Sequence, residues 1–126
     1  MKSFAYDAAV LVAADRNERR TWAAHRVRIQ SGALPLVSAA VVAQVSRSPQ
    51  QALLRRFLTS CVVVPFDEQA AHDGGRLLAL SRTTDVVDAS VVTLALRKNA
   101  VILTGAPEDI ARLVSASGHD AVVVAV

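Results

Sequence analysis

The chain has 126 residues, of which 52% are hydrophobic and 4% aromatic, and 14 Lys and Arg residues against 11 Asp and Glu residues give a net charge of +3. This length suits one compact domain, and the hydrophobic content excludes a disordered or fibrous chain, so we expect a single domain over residues 1–126. Cys61 is the only cysteine, which excludes a disulfide framework and a thiolate metal site. Without a signal-peptide pattern or a membrane-spanning apolar stretch, we expect a cytoplasmic protein that uses no membrane.

Arginine supplies nearly all of the positive charge, because Lys2 and Lys98 are the only lysines. A planar guanidinium group suits paired contacts with phosphate, which favours a polyanionic partner. A chain rich in Arg, Ala and Val can equally reflect a GC-rich coding sequence. The charge by itself therefore decides little.

The first half of the chain alternates apolar stretches with helix signals. Residues 3–6 predict a buried strand that ends at Asp7, and the Ala- and Leu-rich residues that follow predict a short helix. Asn17 is a good N-cap for the amphipathic helix ERRTWAAHRVRIQ, which Ser31 and Gly32 end. The next predicted elements are the strand LPLVS, the helix AAVVAQVSR with Ser38 as cap and Pro49 as stop, and the helix QQALLRRFLTS.

The second half continues the alternation from the strand CVVVPF. Asp67 caps the helix EQAAHDGGRLLALS, which Gly74 and Gly75 weaken or break into two pieces. The stretch TTDVVDASVV begins a helix that runs to about Asn99. The last predicted elements are the strand AVILTG, the helix PEDIARLVSASG with Pro107 at its first position, and the strand AVVVAV.

Each predicted strand is apolar on both faces, and strands alternate with helices throughout. This pattern is typical of a parallel sheet that is covered by helices on both sides. We therefore predict an α/β fold, a three-layer α/β/α domain with a mostly parallel sheet of about five strands.

Acidic side chains fall at one end of this predicted sheet. Asp7 follows the first strand, Asp85 and Asp88 begin a long helix, and Asp109 begins the helix that follows Thr104 at the end of the fourth strand. Functional groups in an open parallel sheet gather beyond the carboxyl ends of the strands, so these side chains could meet at one edge. Carboxylate oxygens are the ligands that Mg²⁺ and Mn²⁺ prefer.

Helix capping is the competing interpretation of Asp85 and Asp88. With Asp85 as N-cap, Asp88 is the third helical residue, and acids at both positions interact favourably with exposed N–H groups and the helix dipole. Asp7, by contrast, follows a strand where no cap is obviously required. Because clustered carboxylates repel one another without a cation, the three together favour a metal site.

Three segments stand in a distinctive order and spacing: YDAAVLVAADRNERRTW, VSAAVVAQVSR and TTDVVDASVVTLALRKNAVILTGAPEDI. Together they resemble the PIN-domain ribonucleases, and within them the VapC-type toxins of bacterial type II toxin–antitoxin pairs. The resemblance covers essentially the whole chain.

The resemblance implies a PIN-like fold and an endoribonuclease that uses Mg²⁺ or Mn²⁺ to hydrolyse RNA phosphodiester bonds. Asp7 and Asp88 would be the catalytic residues and firm metal ligands, with Asp85 beside them as a ligand or as a neighbour that orients one. The expected partners are an RNA substrate, a small VapB-like antitoxin in the groove between the early helices, and a second copy of the chain in a homodimer.

Two positions depart from the family pattern. The helix after the second strand carries Gln44 where the family commonly has Glu, and Gln44 offers only a neutral oxygen. The position two residues after Thr104 is Ala106 where the family commonly has Asp; as N-cap, Ala is about 1 kcal/mol poorer than Asp. Thr104 can substitute in part, or Glu108 and Asp109 can face the site from the first turn of that helix. The alternative is therefore a PIN-like binding module that keeps partner or RNA binding but does not cut.

A phosphoacceptor receiver domain, with similar length and alternation, ranks last. It needs a pair of acids after the first strand and a Lys after the fifth, whereas this chain has Asp7 alone and no Lys near AVVVAV. We expect His25, His72 and His119 to be surface or half-buried residues without a metal role. Six arginines could line an RNA path or simply be solvated: Arg16, Arg19, Arg20, Arg47, Arg55 and Arg56.

Overall fold

A five-stranded sheet forms the middle of the protein, and every connection between its strands contains at least one helix. The computed structural model describes residues 1–126. The strands are β1 (Ser3–Tyr6), β2 (Leu34–Ser38), β3 (Val62–Val64), β4 (Val101–Thr104) and β5 (Val123–Ala125). The helices are α1 (Ala8–Asp15), α2 (Arg19–Gln30), α3 (Ala39–Val45), α4 (Ala52–Thr59), α5 (Glu68–Ser81), α6 (Val86–Lys98) and α7 (Pro107–Ser117).

All strands are parallel, in the order β3-β2-β1-β4-β5. The central strand β1 places Tyr6 opposite Val37 of β2 and Leu103 of β4. The predicted α/β class and parallel sheet are confirmed. The receiver interpretation is wrong, because receiver-type folds have the order 2-1-3-4-5.

The helices cover both faces of the sheet. The chain moves from β1 to β2 to β3 in one direction and then crosses back to β4 and β5. Right-handed crossovers therefore put α1 to α4 on one face and α5 to α7 on the other. The contacts agree, because α1 packs on α2, α3 and α4, while α5, α6 and α7 pack on one another. Three layers result.

Helix α6 is the most buried helix. Every residue from Ala89 to Ala95 is buried, and the helix packs on β1, β2 and β4 as well as on α5 and α7. A helix that is apolar on all sides belongs in the interior of a domain. Its packing fixes the position of its first turn, which carries Asp88.

An aromatic cluster joins β1 to α2 and α4. The rings of Trp22 and His25 lie 5.1 and 4.1 Å from that of Phe57. His25 is 3% exposed, so the prediction of a surface or half-buried residue is wrong for it. Its Nδ1 is 2.8 Å from the Tyr6 hydroxyl and its Nε2 is 2.7 Å from the Ser60 hydroxyl. Because both ring nitrogens have partners, burial of this polar ring is tolerated.

Two local predictions are wrong. Asn17 does not cap α2, since it has a left-handed φ of 57° and Glu18 stands at the N-cap without a side-chain bond. Gly74 and Gly75 do not break α5, which runs without interruption from Glu68 to Ser81 with Gly74 buried. The edge strands β3 and β5 are apolar but only partly buried, since Val62, Val63 and Val124 are 42 to 44% exposed. None of the seven helices is long and apolar enough to span a membrane.

Candidate functional site

The candidate site lies at the carboxyl ends of β1 and β4, where the strand order changes direction. Ligands of open α/β sheets bind in the crevice at such a switch point. Asp7 follows β1 and Thr104 ends β4, so the predicted convergence of these two residues is present. The Thr104 hydroxyl donates a hydrogen bond to Oδ2 of Asp7.

Asp7 is buried, with 6% of its surface exposed. Its Oδ1 accepts the Ala9 N–H at 2.9 Å, which makes it the N-cap of α1, and its Oδ2 also accepts the Gly105 N–H at 3.3 Å. The expectation that no cap is required after β1 is therefore wrong. A carboxylate has about four lone-pair positions, so one position on Oδ1 stays free for a ligand.

Thr104 is fully buried and makes two hydrogen bonds. Besides donating to Asp7, its hydroxyl accepts the Ala106 N–H at 2.9 Å. Ala106 stands at the N-cap of α7, with Pro107 as the first helical residue, and makes no side-chain cap bond. Thr104 thus satisfies the N–H of the N-cap residue itself, whereas the N–H groups in the first turn of α7 receive no side-chain cap.

The first turn of α6 brings two more carboxylates to this edge. Asp85 is the N-cap, and its Oδ1 accepts the Asp88 N–H at 3.0 Å. Asp85 is exposed and Asp88 is half-buried. The capping interpretation is therefore correct for Asp85, whereas the Asp88 carboxylate is left to interact with its surroundings.

Burial and neighbouring carboxylates both act on Asp88. Burial, and then the negative charges of Asp85, Asp7 and Asp109, raise the pKa of Asp88 to about 6. Like charges raise a carboxyl pKa only when they lie near it. Carboxylates from the end of β1 and the starts of α6 and α7 therefore share one region.

Gln44 lies on a helix that is adjacent to both of the helices that carry the site acids. It is exposed near the end of α3, a helix that packs on both α1 and α6. The start of α3 is held by Ser38, whose hydroxyl donates to the Ser90 hydroxyl of α6 at 2.9 Å and accepts the Ala40 N–H at 3.2 Å. Ser90 was missed from the sequence, because a serine inside an apolar helix gives no signal of its partner.

Gly105 was also missed. A Cβ on Gly105 would lie 2.7 Å from the Cβ of Ala9, closer than packed carbon atoms approach. Glycine is thus required where the loop after β4 crosses the start of α1. This contact holds the Gly105 N–H against Asp7, and only the three-dimensional structure reveals it.

Three solved structures are similar to this fold over nearly their whole length. A chain of the VapBC2 complex from Rickettsia felis bound to a promoter DNA fragment aligns with a TM-score of 0.77, 16% identity, and 98% coverage of each chain. A chain of FitAB bound to an IR36 DNA fragment aligns with a TM-score of 0.64, 14% identity, and coverages of 97% and 94%. A chain of FitAcB from Neisseria gonorrhoeae aligns with a TM-score of 0.62, 15% identity and 95% coverage of each chain.

The chain has a PIN-like fold. At these sequence identities the similarity shows the fold alone. No protein-family model matches the sequence, and no curated protein matches it. What this PIN-like domain does must therefore be argued from its own side chains.

The donor set fits a hard divalent cation only in part. No group of three or more His, Cys, Asp or Glu side chains lies close enough together to hold a metal ion by itself. Mg²⁺, however, keeps several waters and is commonly bound by one or two carboxylates plus substrate phosphates. Asp7 through its free Oδ1 position and Asp88 are the two side chains that fit this requirement, with Asp85 and Asp109 adding negative charge.

Proposed function

We propose that the protein is a metal-dependent endoribonuclease, a VapC-like toxin that hydrolyses RNA phosphodiester bonds and is neutralised by a small VapB-like antitoxin. The observation that carries the proposal is that Asp7 at the end of β1 and Asp88 in the first turn of α6 lie at the switch point of the sheet, where burial and then the charges of Asp85, Asp7 and Asp109 raise the pKa of Asp88. The PIN-like fold supports it, since the similar chains come from toxin–antitoxin complexes.

Asp7 and Asp88 are the proposed catalytic residues and ligands for Mg²⁺ or Mn²⁺. An ion held by these two carboxylates would supply positive charge to the scissile phosphate and would lower the pKa of a water. Thr104 and Gly105 hold the Asp7 carboxylate in one orientation through hydrogen bonds. Asp85 fixes the first turn of α6 and thereby the position of Asp88.

RNA cleavage tests this proposal. We expect the purified protein to cleave a structured RNA with Mn²⁺, and Asp7→Asn or Asp88→Asn to abolish cleavage. Asp73→Asn is the matched control, because Asp73 lies on α5 and pairs with Arg97 at 2.8 Å instead of joining the site. Cleavage that persists in both site variants would refute the assignment.

A binding module without nuclease activity is the second candidate. Three observations favour it: no three acids lie close enough together to hold a metal ion, Gln44 is exposed, and Ala106 makes no side-chain cap bond. Calorimetric titration with Mn²⁺ discriminates the two, since weak or absent binding favours the module and tight binding favours the enzyme. If the module is correct, Ala106→Asp supplies the acid that the family commonly has there and is expected to restore Mn²⁺ binding.

The proposed partners follow from the same argument. A VapB-like antitoxin and a homodimer are expected of a VapC-like toxin, and both can be tested by co-expression with the neighbouring open reading frame and by light scattering. A single monomeric species that no antitoxin inhibits would contradict this part of the proposal.

A further inference from the structure

A cavity lies between α5, α6 and α7, at the opposite end of α6 from the carboxylates. Its volume is about 230 Å³, which is room for several water molecules or one small anion. Arg97 lies in the last turn of α6 and lines the cavity, whereas Asp88 lies in the first turn of that helix. Their separation along the chain corresponds to about 14 Å along the helix axis. The cavity is therefore separate from the candidate functional site.

The side chains around this cavity carry an excess of positive charge. Arg76, Arg97 and His119 line it, and Asp73 is the only acid among the lining residues. Because the two arginines are always charged, the excess remains even when His119 is neutral. The acids at the start of α6 instead repel an anion, so an anion is drawn to this end of the helix.

The two arginines share one carboxylate. Arg97 donates a hydrogen bond to Oδ2 of Asp73 at 2.8 Å, and Gln69 donates one to Oδ1 at 3.1 Å. Hydrogen bonds from Arg97 and then Gln69 lower the pKa of Asp73, and the charges of Arg97 and Arg76 lower it further. Arg76 is thus near this carboxylate, yet it forms no ion pair, because the two ion pairs of the structure join other residues. One guanidinium group is therefore unpaired, and the other uses only one of its five N–H donors.

Thr93 provides a second, independent observation at this cavity. Its side chain lines the cavity, it is 5% exposed, and its hydroxyl is the only buried side-chain oxygen or nitrogen without a hydrogen-bond partner. A threonine inside a helix commonly bonds to a carbonyl of the preceding turn, and this one does not. Leaving a buried hydroxyl unpaired lowers the free energy of unfolding, and a ligand in the cavity would supply the partner.

Helix dipoles alone do not account for these side chains. A basic side chain near the C-terminus of a helix is stabilised by the dipole, which explains Arg97 at the end of α6 and His119 just after α7. Arg76 lies in the middle of α5 and receives no such stabilisation. The dipole also gives no reason for the unpaired hydroxyl of Thr93.

We propose that this cavity binds the phosphate group of a small ligand, with Arg76, Arg97 and the Thr93 hydroxyl donating hydrogen bonds to its oxygens. Guanidinium groups form strong, charge-assisted hydrogen bonds to phosphate. The volume of the cavity suits one phosphate group with a small substituent. Inorganic phosphate and a phosphate monoester such as ribose 5-phosphate share this chemistry.

Titration with inorganic phosphate, followed in ¹⁵N–¹H NMR spectra in EDTA at constant ionic strength, tests the proposal. The backbone amide signals of Thr93, Arg97 and His119 are expected to shift and to saturate. Arg76→Gln should weaken binding about three- to fivefold, because one exposed guanidinium contact is lost. Arg55→Gln is the matched control, since it removes the same charge from α4 on the other face of the sheet, and it should bind as wild type does.

Two further variants separate binding from a structural role. Asp73→Asn removes the only acid among the lining residues and frees Arg97, so phosphate should bind several times more tightly. Thr93→Val removes the unpaired hydroxyl with little change in shape. It should raise the Tm of the phosphate-free protein by roughly 2 to 5 °C and weaken phosphate binding about fivefold.

Equal binding by wild type and Arg76→Gln overturns the proposal, and so does equal binding by wild type and Thr93→Val. Amide shifts that KCl reproduces at the same ionic strength overturn it as well. Dimethyl phosphate is a diester like the backbone of a nucleic acid, and its tighter binding than inorganic phosphate would replace the small ligand by a polymer. Ribose 5-phosphate that binds more tightly than inorganic phosphate supports a phosphorylated small molecule as the ligand, and weaker binding supports free phosphate.

Discussion

Replacing Asp88 by Asn is expected to stabilise the metal-free protein. Burial and neighbouring negative charges raise the pKa of Asp88 from 3.8 to about 6, so the folded state holds this proton more tightly than the unfolded state does. Below pH 3.8 the carboxyl group therefore does not lower the free energy of unfolding. Between pH 3.8 and 6 it lowers that free energy by a growing amount, and above pH 6 the full loss is present. Asn removes that cost.

The magnitude follows from the same numbers. A pKa difference of this size corresponds to at most about 3 kcal/mol, and since Asp88 is only half-buried, solvent screening reduces the expected gain to about 1 kcal/mol. For a domain of this length that is a rise in Tm of roughly 3 to 5 °C at pH 7.5. At pH 3.5 the wild type and Asp88→Asn should unfold alike.

Urea unfolding followed by circular dichroism, in EDTA at both pH values, measures this difference. Asp73→Asn is the control, because the hydrogen bond from Arg97 lowers the pKa of Asp73, and removing that carboxylate should bring no gain. Asp88→Asn that is equally or less stable than wild type at pH 7.5 would refute the destabilisation of the Asp88 carboxylate by burial and neighbouring charge.

Two further predictions concern contacts around the site. Gly105→Ala should lower the free energy of unfolding by about 1 to 3 kcal/mol, since its Cβ would meet that of Ala9, and Ala9→Gly in the same chain should recover most of the loss in urea unfolding. Burial, and then the charge of Arg28, lower the pKa of His25 from 6.5 to about 4. Because the unfolded state binds this proton more tightly, the free energy of unfolding should fall by up to about 3 kcal/mol as the pH drops from 6.5 to 4. His25→Gln should lose this pH dependence, and a wild type whose urea midpoint is constant over that range would contradict the prediction.

The sheet could be predicted from the sequence because its central strands are apolar on both faces. The helix caps at Ser38, Asp67 and Asp85 also matched their sequence signals, since each side chain accepts a hydrogen bond from the following turn. Gly74 shows where local propensity fails. Its cost to helix α5 is local, whereas its burial beside Ala89 of α6 depends on the fold.

The site was less accessible to prediction than the sheet. The ends of predicted strands pointed to Asp7 and Thr104, but not to the hydrogen bond between them, which requires the register of β1 with β4. His25 illustrates the same limit, because its two hydrogen-bond partners lie 19 and 35 residues away in the chain. Contacts of this kind leave no local pattern.

Capping and metal binding are not exclusive roles for these acids. Asp7 caps α1 with one lone pair of Oδ1 and retains another, and Asp85 caps α6 while Asp88 remains free. If Asp88 served only the dipole of α6, its charge would stabilise the helix and its pKa would be lowered. The pKa is raised instead, so burial and then repulsion outweigh the dipole.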